Sequence, residues 1–366
     1  MAAPAAMMSD LTPTPGSPAA LGYRMPAEWE PHAATWLSWP HKESSWPGKL
    51  DRIPPIWAAM VGALVRGEDV HILVNASAPA ARVRELLRQA GVALQRVHLH
   101  EIATDDAWMR DHGPTFITRN GETALVDWKY NAWGGKYPPW EQDDRVPGQI
   151  AAVLDLPVFS VDMVLEGGSI DVDGRGTLLT TEACLLNPNR NPQLSRTAIE
   201  QALCDYLGAR RVLWLGDGIV GDDTDGHVDD LTRFVAPGVV VTVVEEDPRD
   251  ENYERLRDNC RRLEAMRSVD GSALRVVTLP MPEPITYEDT RLPASYANFY
   301  IGNAVVLAPI FGGRRDEVAL ATLRSLCPGR EVIGINAVDL VWGLGAFHCV
   351  TQQQPAVTKP PDTARR

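Results

Sequence analysis

The chain of 366 residues lacks the features that mark membrane and secreted proteins. No apolar run approaches the roughly 18–20 residues that a helix needs to cross a bilayer. The N-terminus has no basic segment followed by an apolar core, so we expect no secretory signal peptide. The sequence therefore predicts a protein that neither spans a membrane nor is exported.

Two common nucleotide-binding signatures are also absent. No Gly-x-Gly-x-x-Gly follows the first predicted strand, and no Gly-x-x-x-x-Gly-Lys-Ser/Thr occurs in the chain. Both patterns use glycines to bring the backbone close to phosphate groups. Their absence argues against a dinucleotide site and against a P-loop site.

Cysteines are few, odd in number and widely spaced, and no Cys-x-x-Cys pair occurs. This spacing argues against a disulfide framework and against a zinc site. Free thiols are typical of a reducing compartment, so we expect a cytoplasmic protein. Four of the five lie in apolar strand or helix patterns or in a charged helix and are expected to be structural: Cys184, Cys204, Cys260 and Cys327.

Basic residues are outnumbered, because 35 Lys and Arg against 48 Asp and Glu give a net charge of −13. An acidic surface disfavours sequence-independent binding to nucleic acid and to anionic lipid, so we expect neither partner. It is compatible with a cationic substrate, although many cytosolic enzymes are acidic for solubility alone.

The two ends of the chain differ in composition from the rest. Residues 1–20 are rich in Ala, Pro, Ser and Met without periodicity and are predicted to form a disordered tail. Residues 356–366 are predicted to be a loose tail, because a Lys-Pro-Pro run continues neither a helix nor a central strand. Residues 21–355 contain no obvious linker and are predicted to form one domain.

Short apolar strand candidates alternate with helix candidates between these ends, which is typical of an α/β fold. Strands are predicted at residues 70–74, 97–102, 123–128, 158–165, 177–181, 212–215, 233–244, 274–279, 298–307 and 332–335, and helices at residues 56–65, 78–89, 195–207, 252–267 and 315–326.

The fifth cysteine, Cys349, lies in the run GLGAFHCVTQQQ at residues 343–354. A thiolate is a strong nucleophile, but a free thiol needs activation because its pKa is near 8.5. A small buried side chain is the alternative role for Cys349. Its neighbour His348 would point to the opposite face of an extended chain, so we expect a supporting or buried role for His348.

An acidic run surrounds His227 in the sequence GDDTDGHVDD at residues 221–230. In an extended segment His227 and Asp229 would project to the same face, where a carboxylate can orient an imidazole and tune its pKa. The spacing does not fit an EF-hand calcium loop. A surface turn is the remaining alternative.

Two further carboxylates follow apolar runs. Asp111 precedes His112-Gly113-Pro114, and Glu166 precedes two glycines, so each is predicted at a strand-to-loop edge where functional sites are commonly built. Each is a candidate substrate clamp or, alternatively, an ordinary loop acid.

Taken together, these runs resemble the agmatine deiminase family, which is related to the bacterial-type peptidylarginine deiminases. The resemblance runs in order from about residue 24 to residue 355, nearly the whole chain. The matching stretches are residues 25–32 (MPAEWEPH), 108–115 (WMRDHGPT), 131–136 (NAWGGK), 166–169 (EGGS), 186–192 (LNPNRNP), 221–229 (GDDTDGHVD), 292–300 (LPASYANFY) and 348–353 (HCVTQQ).

The resemblance implies the pentein fold, a five-bladed α/β propeller with the active site at its centre. It implies that Cys349 is the nucleophile and His227 the general acid and base. Asp111, Glu166 and Asp229 would be the carboxylates that face a guanidinium group.

The resemblance implies that Trp108 lines the pocket. Gly345 would let the backbone approach a ligand closely, and Asp223 is a candidate partner for the ammonium of agmatine. Two departures affect this region. Leu344 interrupts the run of glycines that usually precedes the cysteine, and Asp223 stands where agmatine-specific members often have Glu. Because both positions lie near the substrate's tail, the departures bear more on which guanidine is the substrate than on the reaction itself.

The activity implied is hydrolysis of a guanidinium through a covalent cysteine thiouronium, without a metal or an organic cofactor. The first expectation is agmatine to N-carbamoylputrescine and ammonia, a step of polyamine (putrescine) biosynthesis, in a homo-oligomer with a small cationic substrate as its partner. Peptidyl-arginine, free arginine or another guanidine are alternative substrates. Amidinotransfer and non-catalytic guanidine binding are alternative functions.

Overall fold

The computed structural model describes residues 10–357, in which five sheets of three or four strands and one two-stranded hairpin form the fold. The strands are β1 (His32–Ser38), β2 (Asp69–Leu73), β3 (Val97–His100), β4 (Thr115–Arg119), β5 (Glu122–Lys129), β6 (Val158–Val164), β7 (Asp171–Val172), β8 (Thr177–Thr181), β9 (Arg211–Leu215), β10 (Thr232–Ala236), β11 (Val239–Val244), β12 (Arg275–Pro280), β13 (Thr286–Tyr287), β14 (Thr290–Arg291), β15 (Tyr300–Ile301), β16 (Val305–Ile310), β17 (Glu331–Asn336) and β18 (Gln352–Pro355).

Helices connect or flank these strands. They are α1 (Ile53–Leu64), α2 (Ala80–Gln89), α3 (Met109–His112), α4 (Ala132–Gly135), α5 (Val146–Leu154), α6 (Glu182–Leu185), α7 (Arg196–Leu207), α8 (Tyr253–Ala265) and α9 (Asp316–Leu326). None of the helices described between residues 10 and 357 is long and apolar enough to cross a membrane.

The sheets repeat one connection pattern. In β4–β5–β6, β7–β8–β9, β10–β11–β12 and β15–β16–β17, the first pair is antiparallel and the second pair is parallel. Parallel neighbours need a crossover, which α5, α7, α8 and α9 provide. In the fifth sheet, β1 pairs in parallel with β2 and antiparallel with β18, so the last strand completes the sheet of the first.

This repeat confirms the predicted α/β class. Neighbouring sheets touch where β18 meets β4, where β7 meets β10 and where α1 meets β16 and β17. Contacts between the first and last sheets agree with the five repeated units of a pentein. Arrangement of the units as a propeller stays a prediction.

Helix α7 illustrates how local sequence sets the element boundaries. Ser195 caps its first turn by accepting a hydrogen bond from the Ala198 N–H at 3.2 Å. Gly208 ends the helix with a φ of 73°, a left-handed conformation that favours glycine. Ile199 and Leu203 are buried one turn apart, so the helix packs one apolar face against its sheet.

Two predicted strands are wrong in the same way. The apolar run at residues 233–244 is two antiparallel strands, β10 and β11, separated by a turn at Gly238 with a φ of 69°. The run at residues 298–307 likewise divides into β15 and β16. A continuous apolar run does not reveal a tight hairpin, because both strands are buried and only the turn residues mark the break.

The predicted N-terminal tail also differs from the structure. Residues 1–9 lie outside the described residues, but residues 10–20 contact the body of the protein. The Leu11 N–H donates to the Arg210 carbonyl at 2.8 Å, and the Thr14 hydroxyl donates to Asp205 at 2.8 Å. At the other end, the Ala356 N–H donates to the Pro31 carbonyl at 2.7 Å, and residues 358–366 lie outside the described residues.

A buried ion network joins separate segments of the fold. Arg233 of β10 reaches Glu28 at 2.9 Å, Asp171 of β7 at 2.7 Å and the Phe299 carbonyl at 2.8 Å. Burial raises the pKa of Asp171 to about 6, against the opposing effect of Arg233. Buried charges of this kind are tolerated only when they are paired, so Glu28 and Asp171 both depend on the positive charge of Arg233.

Replacing Arg233 with Met should lower the free energy of unfolding by about 3–5 kcal/mol, because two buried carboxylates lose their cation. Urea unfolding at pH 7 measures the loss. The control is Arg249→Met: the Arg249 side chain is 87% exposed and pairs with Asp247, and its loss should change stability by no more than about 0.5 kcal/mol. Equal, small losses in both variants would contradict the structural role of Arg233.

Candidate active site

The predicted site residues lie in the connections that lead from one sheet to the next. Asp111 lies between β3 and β4, Glu166 between β6 and β7, and His227 between β9 and β10. Asn298 lies between β12 and β15, and Cys349 between β17 and β18. Each inter-sheet connection therefore brings at least one polar side chain toward the same region.

The Cys349 thiol is buried among carboxylates. Its Sγ accepts a hydrogen bond from Asn298 Nδ2 at 3.0 Å and lies 3.7 Å from Asp229 Oδ2. Burial raises the thiol pKa well above its usual value, and the charges of Asp229, Asp230 and Asp111 raise it further. The thiol is therefore protonated unless a positive charge comes close to it.

The His227 imidazole is also fully buried. Its Nδ1 lies 3.8 Å from Asp111 Oδ1 and its Nε2 lies 4.0 Å from Glu166 Oε2. Neither ring nitrogen has a hydrogen-bond partner among the described residues. Burial lowers the pKa of His227 well below its usual value, and the charge of Arg190 lowers it further. The resting imidazole is therefore neutral.

The predicted pairing of His227 with Asp229 along an extended segment is wrong. Residues Val228–Asp230 form a short 3₁₀ turn rather than a strand, and Asp229 Oδ2 contacts His348 Nδ1 at 2.7 Å. His227 instead faces Asp111 and Glu166. The two still border one space, because a Cβ on Gly168 would lie 2.5 Å from His227 Nδ1 and 3.0 Å from Asp229 Oδ2.

Asp111 is held from two sides. Its Oδ2 accepts a hydrogen bond from Trp133 Nε1 at 3.0 Å, and its Oδ1 accepts one from the Gly168 N–H at 2.9 Å. Burial raises the Asp111 pKa to about 7, and the neighbouring charge of Glu166 contributes. Asp111 therefore changes its charge near neutral pH.

Glu166 is oriented by an arginine. Its Oε1 accepts a hydrogen bond from Arg190 Nε at 2.6 Å, and Arg190 also pairs with Asp225 at 2.6 Å. The second oxygen of Glu166 has no partner between residues 10 and 357. Arg190 therefore holds the carboxylate from behind and leaves Oε2 directed toward His227.

Several buried polar atoms in this region share the property that no described group hydrogen-bonds to them. They are Glu166 Oε2, Asp229 Oδ1, Asp230 Oδ2 and both ring nitrogens of His227. Buried polar atoms are rarely left without partners, so a cluster of them marks a candidate binding site. Most are acceptors, and the complementary ligand is a cation with several N–H donors.

A cavity of about 420 Å³ leads to this cluster. Cys349 and Asp111 line it, together with the indoles of Trp108 and Trp133. The role of Trp108 toward a substrate stays a prediction. Gly345 does not line the cavity itself, but a Cβ there would lie 2.6 Å from the Trp108 ring and 3.0 Å from the Cys349 Cβ. Gly345 thus allows Trp108 to lie close to the thiol.

Asp223 lines the outer part of the cavity, but its carboxylate already has partners. Lys136 Nζ lies 3.3 Å from Asp223 Oδ1, and the Tyr137 hydroxyl donates to Asp223 Oδ2. Leu344 also lines the cavity and has a φ of 72°, a left-handed conformation that normally favours glycine. The departure at residue 344 therefore adds an apolar side chain to the cavity wall.

Two groups of potential metal ligands coincide with this cluster. In each group the ligand atoms lie within 4.8 Å of one another; the groups are Glu166, Cys184 and His227, and Asp229, Asp230 and Cys349. All but Cys184 also belong to the candidate site. The expectation of a metal-free site stays a prediction.

The family model for Porphyromonas-type peptidyl-arginine deiminase matches residues 24–355. The chain belongs to this family. It is 40% identical to the agmatine deiminase of Stutzerimonas stutzeri (strain A1501), over 95% of this chain and 99% of that protein.

Solved structures lead to the same family. The agmatine deiminase of Enterococcus faecalis is 36% identical, with a TM-score of 0.89 over 94% of this chain and 100% of that chain. A C. jejuni agmatine deiminase with substrate bound is 31% identical, with a TM-score of 0.83 over 91% of this chain and 96% of that chain. An amidinotransferase of Microseira wollei shares the fold alone, at 11% identity and a TM-score of 0.52 over 91% of this chain and 97% of that chain.

Several residues that build the site carry no role in the sequence analysis. Trp133, Arg190 and Asn298 lie in the motifs that support the family resemblance, and Gly168 follows Glu166. The sequence marks these residues through their places within the ordered motifs. Their contacts join segments up to 68 residues apart, as in the Asn298–Asp230 hydrogen bond, and a local pattern does not reveal such contacts.

Replacing Gly168 with Ala should lower kcat/KM for guanidine deimination by about 100-fold or more, since a misplacement of about 1 Å can cost that much. The added Cβ would lie 2.5 Å from His227 Nδ1 and 2.8 Å from Asp111 Oδ1. Ammonia release measures the effect. Gly148→Ala is the control, because a Cβ at Gly148 in α5 meets nothing within 4 Å. Equal activity of both variants would contradict the tight packing at Gly168.

Replacing Asp111 with Asn should change how stability depends on pH. Folded Asp111 keeps its proton up to about pH 7, whereas an unfolded Asp loses it near about pH 3.9. Between these values Asp111 makes the folded state less stable as pH rises, because the folded state binds the extra proton. Urea unfolding should therefore show the variant gaining stability relative to the parent from pH 5 to pH 7.5. A constant difference would contradict the raised pKa.

Proposed function

We propose that this protein hydrolyses a guanidinium group and that its substrate is agmatine, which yields N-carbamoylputrescine and ammonia. One observation carries the proposal: buried carboxylate oxygens without described partners converge beside a buried thiol and imidazole. A guanidinium is planar, carries several N–H donors and keeps its charge at all working pH values. It therefore complements this cluster in shape, charge and hydrogen bonding.

In this proposal Asp111, Glu166 and Asp229 hold the guanidinium by charge-assisted hydrogen bonds. Resonance makes the central guanidinium carbon a poor electrophile. Carboxylates on several sides hold the group so that its carbon faces Cys349. Positioning of this kind can contribute several kcal/mol to lowering the barrier.

Substrate binding also provides the positive charge that Cys349 needs. The guanidinium lowers the thiol pKa, and the thiol proton passes to His227, which is neutral in the resting site. Asp111 and Glu166, at 3.8 and 4.0 Å, stabilise the resulting imidazolium. The thiolate then attacks the guanidinium carbon, and His227 gives its proton to the departing nitrogen, which leaves as ammonia.

The second half of the reaction uses the same imidazole as a base. His227, neutral again, removes a proton from a water molecule that attacks the thiouronium carbon. Collapse of the tetrahedral species breaks the carbon–sulfur bond, releases Cys349 and leaves a ureido product. One histidine therefore acts first as an acid and then as a base.

The outer cavity supports a substrate with a cationic tail. Acidic residues Asp106, Asp223 and Glu288 line it beside aromatic walls, and none of its lining residues between positions 10 and 357 is an arginine. Agmatine carries a primary ammonium at its far end and no carboxylate, which fits acids and indoles. We therefore keep Trp108 and Asp223 as the proposed contacts for the tail, with Gly345 giving Trp108 room beside the thiol. Association as a homo-oligomer and a cytoplasmic location also remain proposals.

Peptidyl-arginine is the main alternative substrate. The cavity of about 420 Å³ fits a small molecule better than a polypeptide. Lys42 also lines the cavity and is a possible partner for the carboxylate of free arginine, but it lies 3.4 Å from Asp106. A non-catalytic guanidine-binding protein would not need the thiol.

We expect the protein to release ammonia from agmatine and not from arginine or a blocked arginyl peptide. Cys349→Ala and Cys349→Ser should lose turnover while their thermal unfolding stays close to that of the parent, because Cys349 supplies the bond that forms first. Cys204→Ser is the matched control, since Cys204 lies buried in α7 away from the cavity.

The outcomes separate the alternatives. Turnover of the peptide or of arginine would keep the chemistry and overturn agmatine as the substrate. Full activity in Cys349→Ser would overturn the nucleophile. Absence of turnover combined with binding of a guanidine would leave a binding protein.

A further inference from the structure

His348 lies between two buried carboxylates. Its Nδ1 is 2.7 Å from Asp229 Oδ2 and its Nε2 is 2.9 Å from Glu28 Oε2. Only 2% of His348 is exposed, so both contacts are shielded from water. The mechanism above gives His348 no role, although Asp229 is one of the proposed substrate carboxylates.

The two hydrogen bonds require two protons. An ionised carboxylate only accepts hydrogen bonds, so each His348 contact needs a proton on the ring nitrogen or on the carboxyl group. Glu28 also contacts Arg233 at 2.9 Å and Arg110 at 3.3 Å. Although burial acts in the opposite direction, these charges lower the Glu28 pKa well below its usual value. Glu28 is therefore ionised, and His348 Nε2 carries a proton.

The second proton lies between Asp229 Oδ2 and His348 Nδ1. Burial and the charges of Arg110 and Arg233 lower the His348 pKa, and burial with the charge of Asp111 raises the Asp229 pKa. Both directions place the proton on Asp229 in the resting site. The charged and titratable groups that face this pair are Arg110, Arg233 and Glu28 around His348, and Asp111, Asp222, Asp230 and Cys349 around Asp229.

A protonated Asp229 is a poor partner for a guanidinium. We propose that His348 is a positioning residue that takes the proton of Asp229 when a guanidinium binds. The Oδ2–H bond of Asp229 breaks and an Nδ1–H bond of His348 forms, so the charge of the pair is unchanged. The imidazolium then lies between two carboxylates, Glu28 and Asp229. This inference rests on the proposed binding of a guanidinium at Asp229.

The shift has a consequence for turnover. Asp229 becomes an anion only while a cation lies beside it, and no proton has to leave the buried site. After hydrolysis the ureido group is neutral, so the proton returns to Asp229. The charge that binds the substrate is therefore lost when the product forms, which favours product release.

His348→Gln tests the proton transfer. Gln can donate to Glu28 and accept from a protonated Asp229, but it cannot take a second proton. We compare Cys349→Ala with Cys349→Ala/His348→Gln by calorimetric titration with agmatine in two buffers of different ionisation enthalpy. The double variant should release about one more proton per agmatine bound, and its affinity should rise about tenfold per pH unit where Asp229 titrates. A structural role alone would change affinity equally at every pH.

His98→Gln in the same Cys349→Ala background is the matched control, because His98 is exposed at the sheet edge beside Asp69. It should release the same number of protons as Cys349→Ala. Equal proton release in the His348→Gln and His98→Gln proteins would overturn the inference. Titrations with arginine and a blocked arginyl peptide accompany those with agmatine, so failure of agmatine to bind counts against the proposed substrate and not against the proton transfer.

A measurement that leaves His348 in place keeps the inference testable if His348→Gln does not fold. Ring ¹⁵N shifts of the Cys349→Ala protein should show His348 as a neutral imidazole with its proton on Nε2, and as an imidazolium after a guanidinium is added. An imidazolium in the ligand-free protein, or a neutral ring in both states, would overturn the inference.

Discussion

The burial of several carboxylates around one small space is the constraint on which the rest of the site depends. Asp111, Glu166, Asp229 and Asp230 are almost completely shielded from water, and like charges at such distances oppose ionisation of one another. Three of them accept hydrogen bonds from N–H groups: Glu166 from Arg190, Asp111 from Trp133 and Gly168, and Asp230 from Asn298. Asp229 instead lies 2.7 Å from His348 Nδ1. Glu166 Oε2, Asp229 Oδ1 and Asp230 Oδ2 have no hydrogen-bond partner among the described residues, so a cationic ligand would complement them.

The repeated fold meets this constraint by using the connections between sheets. Five sheets can each bring one connection to a common region without interrupting a strand, so polar groups gather there while apolar residues fill the sheets. The cost is crowding, which Gly168 and Gly345 relieve where a side chain would collide with His227 or Trp108. A rigid framework behind these connections fixes the distances on which pKa values depend.

Residue identity was more predictable from the sequence than residue geometry. The ordered motifs identify Cys349, Asp111 and Trp108, which line one cavity in the structure, and Glu166, which lies behind it beside His227. The arrangement around His227 was not predictable, because an acidic run does not reveal that a 3₁₀ turn follows it. Likewise, strand boundaries at residues 233–244 required knowledge of a hairpin that hydrophobicity alone conceals.

Contacts across long stretches of sequence explain what sequence reasoning missed. The sequence predicts a buried or supporting role for His348 because adjacent residues of an extended chain point to opposite faces, but it does not reveal the partners Glu28 and Asp229, which lie 320 and 119 residues away. No local period encodes such contacts.

The same long-range contacts determine how the site distinguishes its ligands. The thiol and Asp229 both favour their neutral forms in the empty site, and so does His227. A neutral ligand of similar shape would leave these groups uncharged and the thiol unreactive. A guanidinium instead makes the thiolate and the carboxylate favourable together, since each anion lies beside the new cation. In the proposed mechanism charge is therefore selected before shape, because the thiolate and the Asp229 anion form only beside a bound guanidinium.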